Sequence, residues 1–284
     1  MALIGVALVA SSCAVPSNET LVLAAGTTLV DSGFLDALVE AYEAEFPERT
    51  VSVVGRSTAE VLALGGAGSA DILITHDPLQ EEAFIAGGLS RRDETVFESE
   101  FLLVAPPAIA RLMGGSSLDE ALLRLVDRTV DVEFVSRGDL SGTHQRELGI
   151  WANIGGVPHE AAWYLETGQG MGATLQVASQ KSAATFSERG AFLATAGLDL
   201  QEVNLLDVPL ANPYRAIVPV GVSDEAEHFL DWLLVNEALV KRVNDQLFGT
   251  QVYRTPYQLE RVAARFSVSG VLRHTSVTRP RKIH

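Results

Sequence analysis

The chain has one cysteine among 284 residues, so no disulfide can form within it. Basic residues are few: 21 Lys and Arg against 36 Asp and Glu leave a formal charge of −15. A broad nucleic-acid surface needs positive charge to neutralise phosphates, and this composition argues against one. No internal apolar run is long enough to span a bilayer. The six histidines are scattered without H-x-x-x-H spacing, C-x-x-C is absent, and so is the G-x-x-x-x-G-K-[ST] phosphate loop. Metal-site and nucleotide readings therefore have no support, and no cofactor is expected.

What is present is a soluble globular composition, with 47% hydrophobic and 20% charged residues. The first residues, MALIGVALVASSC, run from an apolar stretch through small residues to Cys13. They resemble a bacterial lipoprotein leader with Cys13 as the lipid anchor and 14–19 as a tether, although no Lys or Arg precedes the apolar run. An incidental cysteine in an ordinary cleaved leader, or a wrongly chosen start codon, is the alternative. The expected location is outside the cell interior, periplasmic or anchored to the outer face of the cytoplasmic membrane, with membrane contact only through Cys13. From Gln258 to His284 six Arg or Lys face one Glu, a basic tail expected to be unstructured.

Between leader and tail, short β-rich runs alternate with helical patterns: LVLAA at 21–25 and a helix near 32–46, VSVVG at 51–55, DILIT at 71–75, then FLLVA at 101–105 closed by Pro106-Pro107. A second unit opens with the capping box Ser117-Leu118-Asp119-Glu120 and carries VEFVS at 132–136, a helix from about 142 to 153, AWYLET at 162–167 and AATFS at 183–187. A return to the first unit is expected around 203–207. The pattern predicts an α/β protein of two lobes joined by two crossings, with an interlobe cleft at the strand ends. Residues 20–105 plus 205–257 form the first expected lobe and 106–204 the second, with hinges near 100–106 and 200–212.

Three segments share one design, in which a strand ends, glycines and hydroxyls follow, and a helix begins. They are Ala25-Gly26-Thr27-Thr28, the stretch SRGDLSGTH at 136–144, and Thr167-Gly168-Gln169-Gly170-Met171-Gly172. Unpaired N–H groups at a helix start, with glycine allowing close approach, suit a small anion. Singly each is ordinary cap and turn chemistry; three of them, one containing Arg137, favour a shared oxyanion. Asp139, Ser141 and His144 are also the residue types of a hydrolase triad, but all fall within six residues and lack the G-x-S-x-G elbow, a poor basis for a relay.

The segments LAAGTTLVDSGFLD (23–36), GSADILITHDPLQEEAFIAGG (68–88), FVSRGDLSGTHQRE (134–147), WYLETGQGMGATL (163–175), SERGAFL (187–193) and NPY (212–214) resemble the TupA-like tungstate-binding components of ABC importers, in the type II periplasmic-binding-protein fold. The resemblance runs from about Leu21 to Tyr257. It implies a non-enzymatic solute-binding protein, a monomer, that holds tungstate or molybdate and delivers it to an ABC permease. It also implies ligand contacts from Thr28, a hydroxyl of Ser57 or Thr58, Arg137, Ser141, Thr143 and backbone N–H groups of Gly170, Met171 and Gly172, with Thr27 and Gly142 beside them. Two loops depart from the family pattern: Ala25-Gly26 stands where hydroxyl residues are usual, and Arg56 lies in the second loop, either facing the cleft or pointing to solvent. Asp139 bears on the ligand: aimed at the anion it favours protonated phosphate, while bound to Arg137 or capping a helix it favours a fully ionised oxyanion. A molybdate- or phosphate-binding protein of the same fold, an extracytoplasmic sensor, and a serine hydrolase using Ser141 and His144 are the competing readings.

Overall fold

A computed structural model describes residues 20–206 and 210–259. Cys13, the leader, the tether and nearly all of the basic tail lie outside the described residues.

The chain opens with β1 (Thr20–Gly26), α1 (Thr27–Asp31), α2 (Phe34–Glu45), β2 (Thr50–Arg56), α3 (Thr58–Gly66), β3 (Ile72–Thr75) and α4 (Pro78–Ala86). The long strand β4 (Ser90–Ala105) then leads to α5 (Pro107–Met113), α6 (Leu118–Val126), β5 (Phe134–Ser136), α7 (Gly142–Asn153), β6 (Tyr164–Glu166), α8 (Met171–Lys181), β7 (Ala184–Glu188), α9 (Arg189–Ala194) and β8 (Gln201–Glu202). β9 (Leu210–Pro219), α10 (Glu225–Val235) and α11 (Glu237–Phe248) follow. The strands join in the order β2-β1-β3-β9-β4-β7-β5-β6, with β8 on β4.

β1 is parallel to β2 and β3, and β5 is parallel to β6 and β7, as helical crossovers require. Between these two parallel groups run β4 and β9, antiparallel to each other from Ser90 to Phe101. Two sets of apolar clusters flank them. One includes Leu23, Phe34, Val96, Phe97, Tyr214 and Phe229; the other includes Phe101, Leu103, Phe134, Trp151 and Phe186. β4 thus enters one core with Phe97 and the other with Phe101, and β9 pairs with β4 across the same transition. The two-lobed α/β architecture with two crossing strands is what the alternating pattern predicted.

Several local expectations are corrected. The strand read as Phe101–Ala105 begins at Ser90. Its first half, SRRDETVFESE, is too charged to read as a buried strand, because its arginines are engaged by acids from elsewhere: Arg92 with Asp231, Arg91 with Glu227. After the return expected around 203–207, the strand that follows is β9, which begins at Leu210 and contains most of the AIVPV run at 216–220. The helix expected near 32–46 is α2, preceded by the short α1, which the sequence pattern does not predict; the two are separated where Gly33 adopts φ +73 and Ser32 Oγ accepts from the Phe34 amide at 3.3 Å. The segment 162–167 contributes only β6. Pro107 sits in the first turn of α5, where its missing N–H costs nothing. The capping box at Ser117 forms as read: the Glu120 amide donates to Ser117 Oγ at 3.2 Å and the Ser117 amide to Glu120 Oε2 at 3.0 Å.

Candidate functional site

Parallel pairing of β1 with β2 places Gly26 opposite Arg56. The residues that follow, Thr27-Thr28 and Ser57-Thr58, therefore leave the sheet together at its carboxyl end. Across the cleft β5 ends at Ser136, and Arg137 emerges directly from it. The guanidinium is 1% exposed. Its Nη1 donates to Thr28 Oγ1 at 3.0 Å, and its Nη2 donates to Thr27 Oγ1 at 3.2 Å and to Asp139 Oδ2 at 2.5 Å. A cation from one lobe is thereby fixed against two hydroxyls of the other.

Asp139 does not stand free. Besides Arg137 it accepts from the Ser141 amide at 3.1 Å. Burial alone would raise its pKa, but the Arg137 charge and the Ser141 hydrogen bonds hold it below the usual carboxylate range. Ser141 caps α7, accepting from the His144 amide at 3.4 Å. His144 is buried, and its Nδ1 accepts from the Leu140 amide at 2.9 Å. Leu140 holds a positive φ of 56°, an unusual conformation for a branched side chain, so the loop between Arg137 and α7 is tightly determined. The members of the supposed triad do not form a relay: the acid pairs with Arg137, the serine caps its helix, and His144 Nδ1 takes a backbone amide while its Nε2 has no partner among the described residues.

Among the described residues the buried polar atoms without a hydrogen-bond partner include three donors of the predicted site, Arg137 Nε, Thr143 Oγ1 and Thr58 Oγ1, along with His144 Nε2, Asn212 Nδ2, Tyr214 Oη, Gln251 Oε1 and Arg254 Nε. Leaving such groups buried and unpaired costs about 1–3 kcal/mol each, more for a charge. The three of the predicted site together ask for an acceptor. Thr143 lies in the first turn of α7 and Thr58 opens α3, so each stands beside unpaired backbone N–H groups. Ser57 is less free, since its hydroxyl donates to Glu60 Oε2 at 2.7 Å.

The third predicted segment packs against the first two. Gly168 N donates to Arg137 O at 2.7 Å, and Thr167 Oγ1 donates to the same carbonyl at 3.1 Å. Gly138, at φ +64, leaves no room for a side chain: a Cβ there would lie 2.8 Å from Glu166 Cβ. At the start of α8 Gly170 faces Asp31, whose Oδ2 lies 3.5 Å from the position a Cβ would take. Burial raises the pKa of Asp31, opposed by the Arg137 charge. Met171 is fully buried, and Gly172 follows it in the first turn. Arg56 is exposed and donates to its neighbour's carbonyl, Gly55 O, at 2.7 Å.

The sequence His76-Asp77-Pro78 after β3 spells a strand-end turn, and the structure gives His76 more. Asp77 does cap α4 and Pro78 does open it. His76 itself is buried, with Nδ1 2.9 Å from Asn212 Oδ1 and its ring beside Gly26 and Gly142. Burial, with a smaller contribution from the Arg137 charge, pushes its pKa down to about 4, so the ring is neutral near pH 7. Its place at the carboxyl end of a central strand was the available signal. A cleft of about 580 Å³, lined in part by His76, Leu79, Leu140, Gly142 and Asn212, lies beside it. Among the described residues no group of three or more His, Cys, Asp or Glu is arranged to hold a metal ion.

The PBP superfamily domain matches residues 14–237. The tungstate-binding protein TupA of Campylobacter jejuni is 31% identical over 234 residues, covering 77% of this chain and 86% of that protein. TupA of Peptoclostridium acidaminophilum is 31% identical over 253 residues, covering 84% of this chain and 86% of that one. The chain belongs to the TupA family of periplasmic binding proteins. A solved structure described as the tungstate ABC transporter from Geobacter sulfurreducens superimposes with a TM-score of 0.69 at 30% identity, covering 81% of this chain and 98% of that one. These TupA relatives are binding components rather than enzymes, in keeping with the committed hydrogen bonds of Asp139, Ser141 and His144.

Proposed function

We propose that this TupA-family chain captures tungstate outside the cytoplasm by closing two lobes around it, and presents it to the permease of an ABC importer. The observation that carries the reading is Arg137: a buried guanidinium bonded to hydroxyls of the opposite lobe, with its Nε unpaired alongside the unpaired hydroxyls of Thr58 and Thr143. The relatives named for tungstate supply the ligand class.

Tungstate is fully deprotonated near neutral pH and needs donors only. Asp139 turns to Arg137 and the Ser141 amide, an arrangement that supports a fully ionised oxyanion over protonated phosphate. Thr27, Thr28, Thr58, Ser141, Gly142 and Thr143 with Arg137 form the proposed shell, and the amides of Gly170–Gly172 close it from α8. Helix starts contribute about 0.3–1 kcal/mol each and charge-assisted hydrogen bonds roughly 1.5–3 kcal/mol, so tight binding requires several at once. The lobe boundary is taken to fall inside β4 between Phe97 and Phe101 and at the start of β9, so that closure is a hinge rotation about two strands. Export, a lipid anchor at Cys13 and a monomeric state complete the reading.

A thermal-shift panel of tungstate, molybdate, sulfate and phosphate on the purified protein tests it. Tungstate and molybdate should raise Tm most, as ligands that bind only the folded state do. A larger shift with phosphate would overturn the ligand assignment.

A further inference from the structure

His76 is held on three sides by the crossing strands. Its Nδ1 pairs with Asn212 of β9 at 2.9 Å; its ring lies nearly parallel to that of Tyr214, also of β9, at 4.7 Å; and Phe101 of β4 stacks at 6.2 Å. The remaining edge of the ring faces two glycines. A Cβ on Gly26, at the start of α1 in the ring's own lobe, would lie 3.4 Å from Cδ2. A Cβ on Gly142, at the start of α7 in the opposite lobe, would lie 2.9 Å from Nε2 and 3.1 Å from Cδ2 and Cε1.

The backbone does not demand glycine at either place. Neither residue has a positive φ, and Gly142 is the first residue of the regular helix α7. The absent side chain leaves room for the imidazole as well as for a ligand. A ring this firmly seated acts as a hard stop, because close-packed atoms yield little to compression.

Resting on the proposed oxyanion function, we propose that His76 is the spacer that sets how closely the lobes approach, and so selects larger tetrahedral dianions such as tungstate over smaller ones such as sulfate. Arg137 and Thr143 come from one lobe, Thr28 and Thr58 from the other, so the lobe separation fixes the distance between the two donor sets. A dianion too small for that distance satisfies one set at the expense of the other. His76 in this role is a positioning residue, acting through the approach of Gly142.

Titration calorimetry with tungstate and with sulfate on the wild-type chain, Gly142→Ala, His76→Ala and the double variant tests the proposal. Gly142→Ala overpacks the contact and should weaken tungstate binding roughly tenfold or more. The double variant should recover to within about threefold of His76→Ala, the mark of two residues coupled by direct contact. His76→Ala alone should narrow the tungstate-to-sulfate affinity ratio by about tenfold, where a purely structural defect would weaken both ligands together. If His76→Ala does not fold, His76→Ser carries the same comparison. Equal damage from Gly142→Ala with and without His76, or an unchanged ratio, overturns the spacer while leaving the tungstate function intact. A wild-type chain that binds neither anion overturns the function, and the spacer with it.

Discussion

Arg137 Nη1 lies 3.0 Å from Thr28 Oγ1, joining residues 109 positions apart across the junction of the two lobes. The guanidinium thus ties the end of β5 to the start of α1, and in the proposed function it also offers charge to the ligand. Arg137→Lys keeps the charge but loses the planar fork that reaches Thr27, Thr28 and Asp139 at once. Removing one partner of a buried charge-assisted pair costs about 2–5 kcal/mol. The expected outcome for Arg137→Lys and Arg137→Gln is a tungstate Kd weakened roughly 30-fold or more, measured by titration calorimetry.

Arg56 is the control for that result. It is a second arginine close in sequence to the proposed site, yet it is exposed and donates to Gly55 O. Screened charges at the surface contribute little. Arg56→Ala should change tungstate affinity less than about threefold, with a slight dependence on ionic strength. A loss as large as that from Arg137→Gln would place Arg56 on the ligand.

The contrast between these arginines also marks what the sequence makes legible. SRGDLSGTH reads as a candidate anion cradle because its glycines, hydroxyls and arginine are local; in the structure Arg137 reaches Thr28, Ser141 caps α7 and Thr143 Oγ1 has no partner among the described residues. The parallel strands are legible because their apolar runs are continuous. The polar half of β4 is not, because Arg91, Arg92 and Asp93 are stabilised by partners more than 100 residues away. His76 is hidden for the same reason: what distinguishes it is Asn212, Tyr214 and Gly142, none of which is near it in sequence. Arg56 could not be aimed from sequence, since a side-chain direction at a strand end depends on what surrounds it.

Glu147 gives a pH signature. It lies on α7 with the site residues Gly142 and Thr143, and accepts from Ser136 Oγ, Trp151 Nε1 and Tyr164 Oη at 2.8–3.1 Å. Burial raises its pKa to about 7, only partly offset by these donors. A carboxyl whose folded pKa lies above its unfolded value contributes stability that is complete below about 4.5 and is lost as pH rises through about 7. Glu147→Gln removes that dependence. The stability of the variant relative to wild type should therefore climb across this window by roughly 3 kcal/mol in all, measured by urea denaturation at stepped pH. His76, with its pKa depressed to about 4, acts in the opposite sense, losing stability as pH falls, and cancels in the comparison. A flat difference between pH 4.5 and 7 would mean that Glu147 titrates normally.

Thr143 separates binding from stability. Its Oγ1 is fully buried and has no hydrogen-bond partner among the described residues, although Ser141 two positions earlier is satisfied as a cap. An unpaired buried hydroxyl is a cost to the ligand-free protein, and replacing it with a methyl of similar shape removes that cost. Thr143→Val should leave the ligand-free Tm unchanged or raised by a few degrees, a shift of about 1 kcal/mol or less at this size. The same variant should bind tungstate about tenfold more weakly, having lost one donor to a charged acceptor. Scanning calorimetry with and without tungstate reads both effects in one experiment. A variant that is less stable without ligand but binds normally would show that Thr143 serves the fold and not the anion.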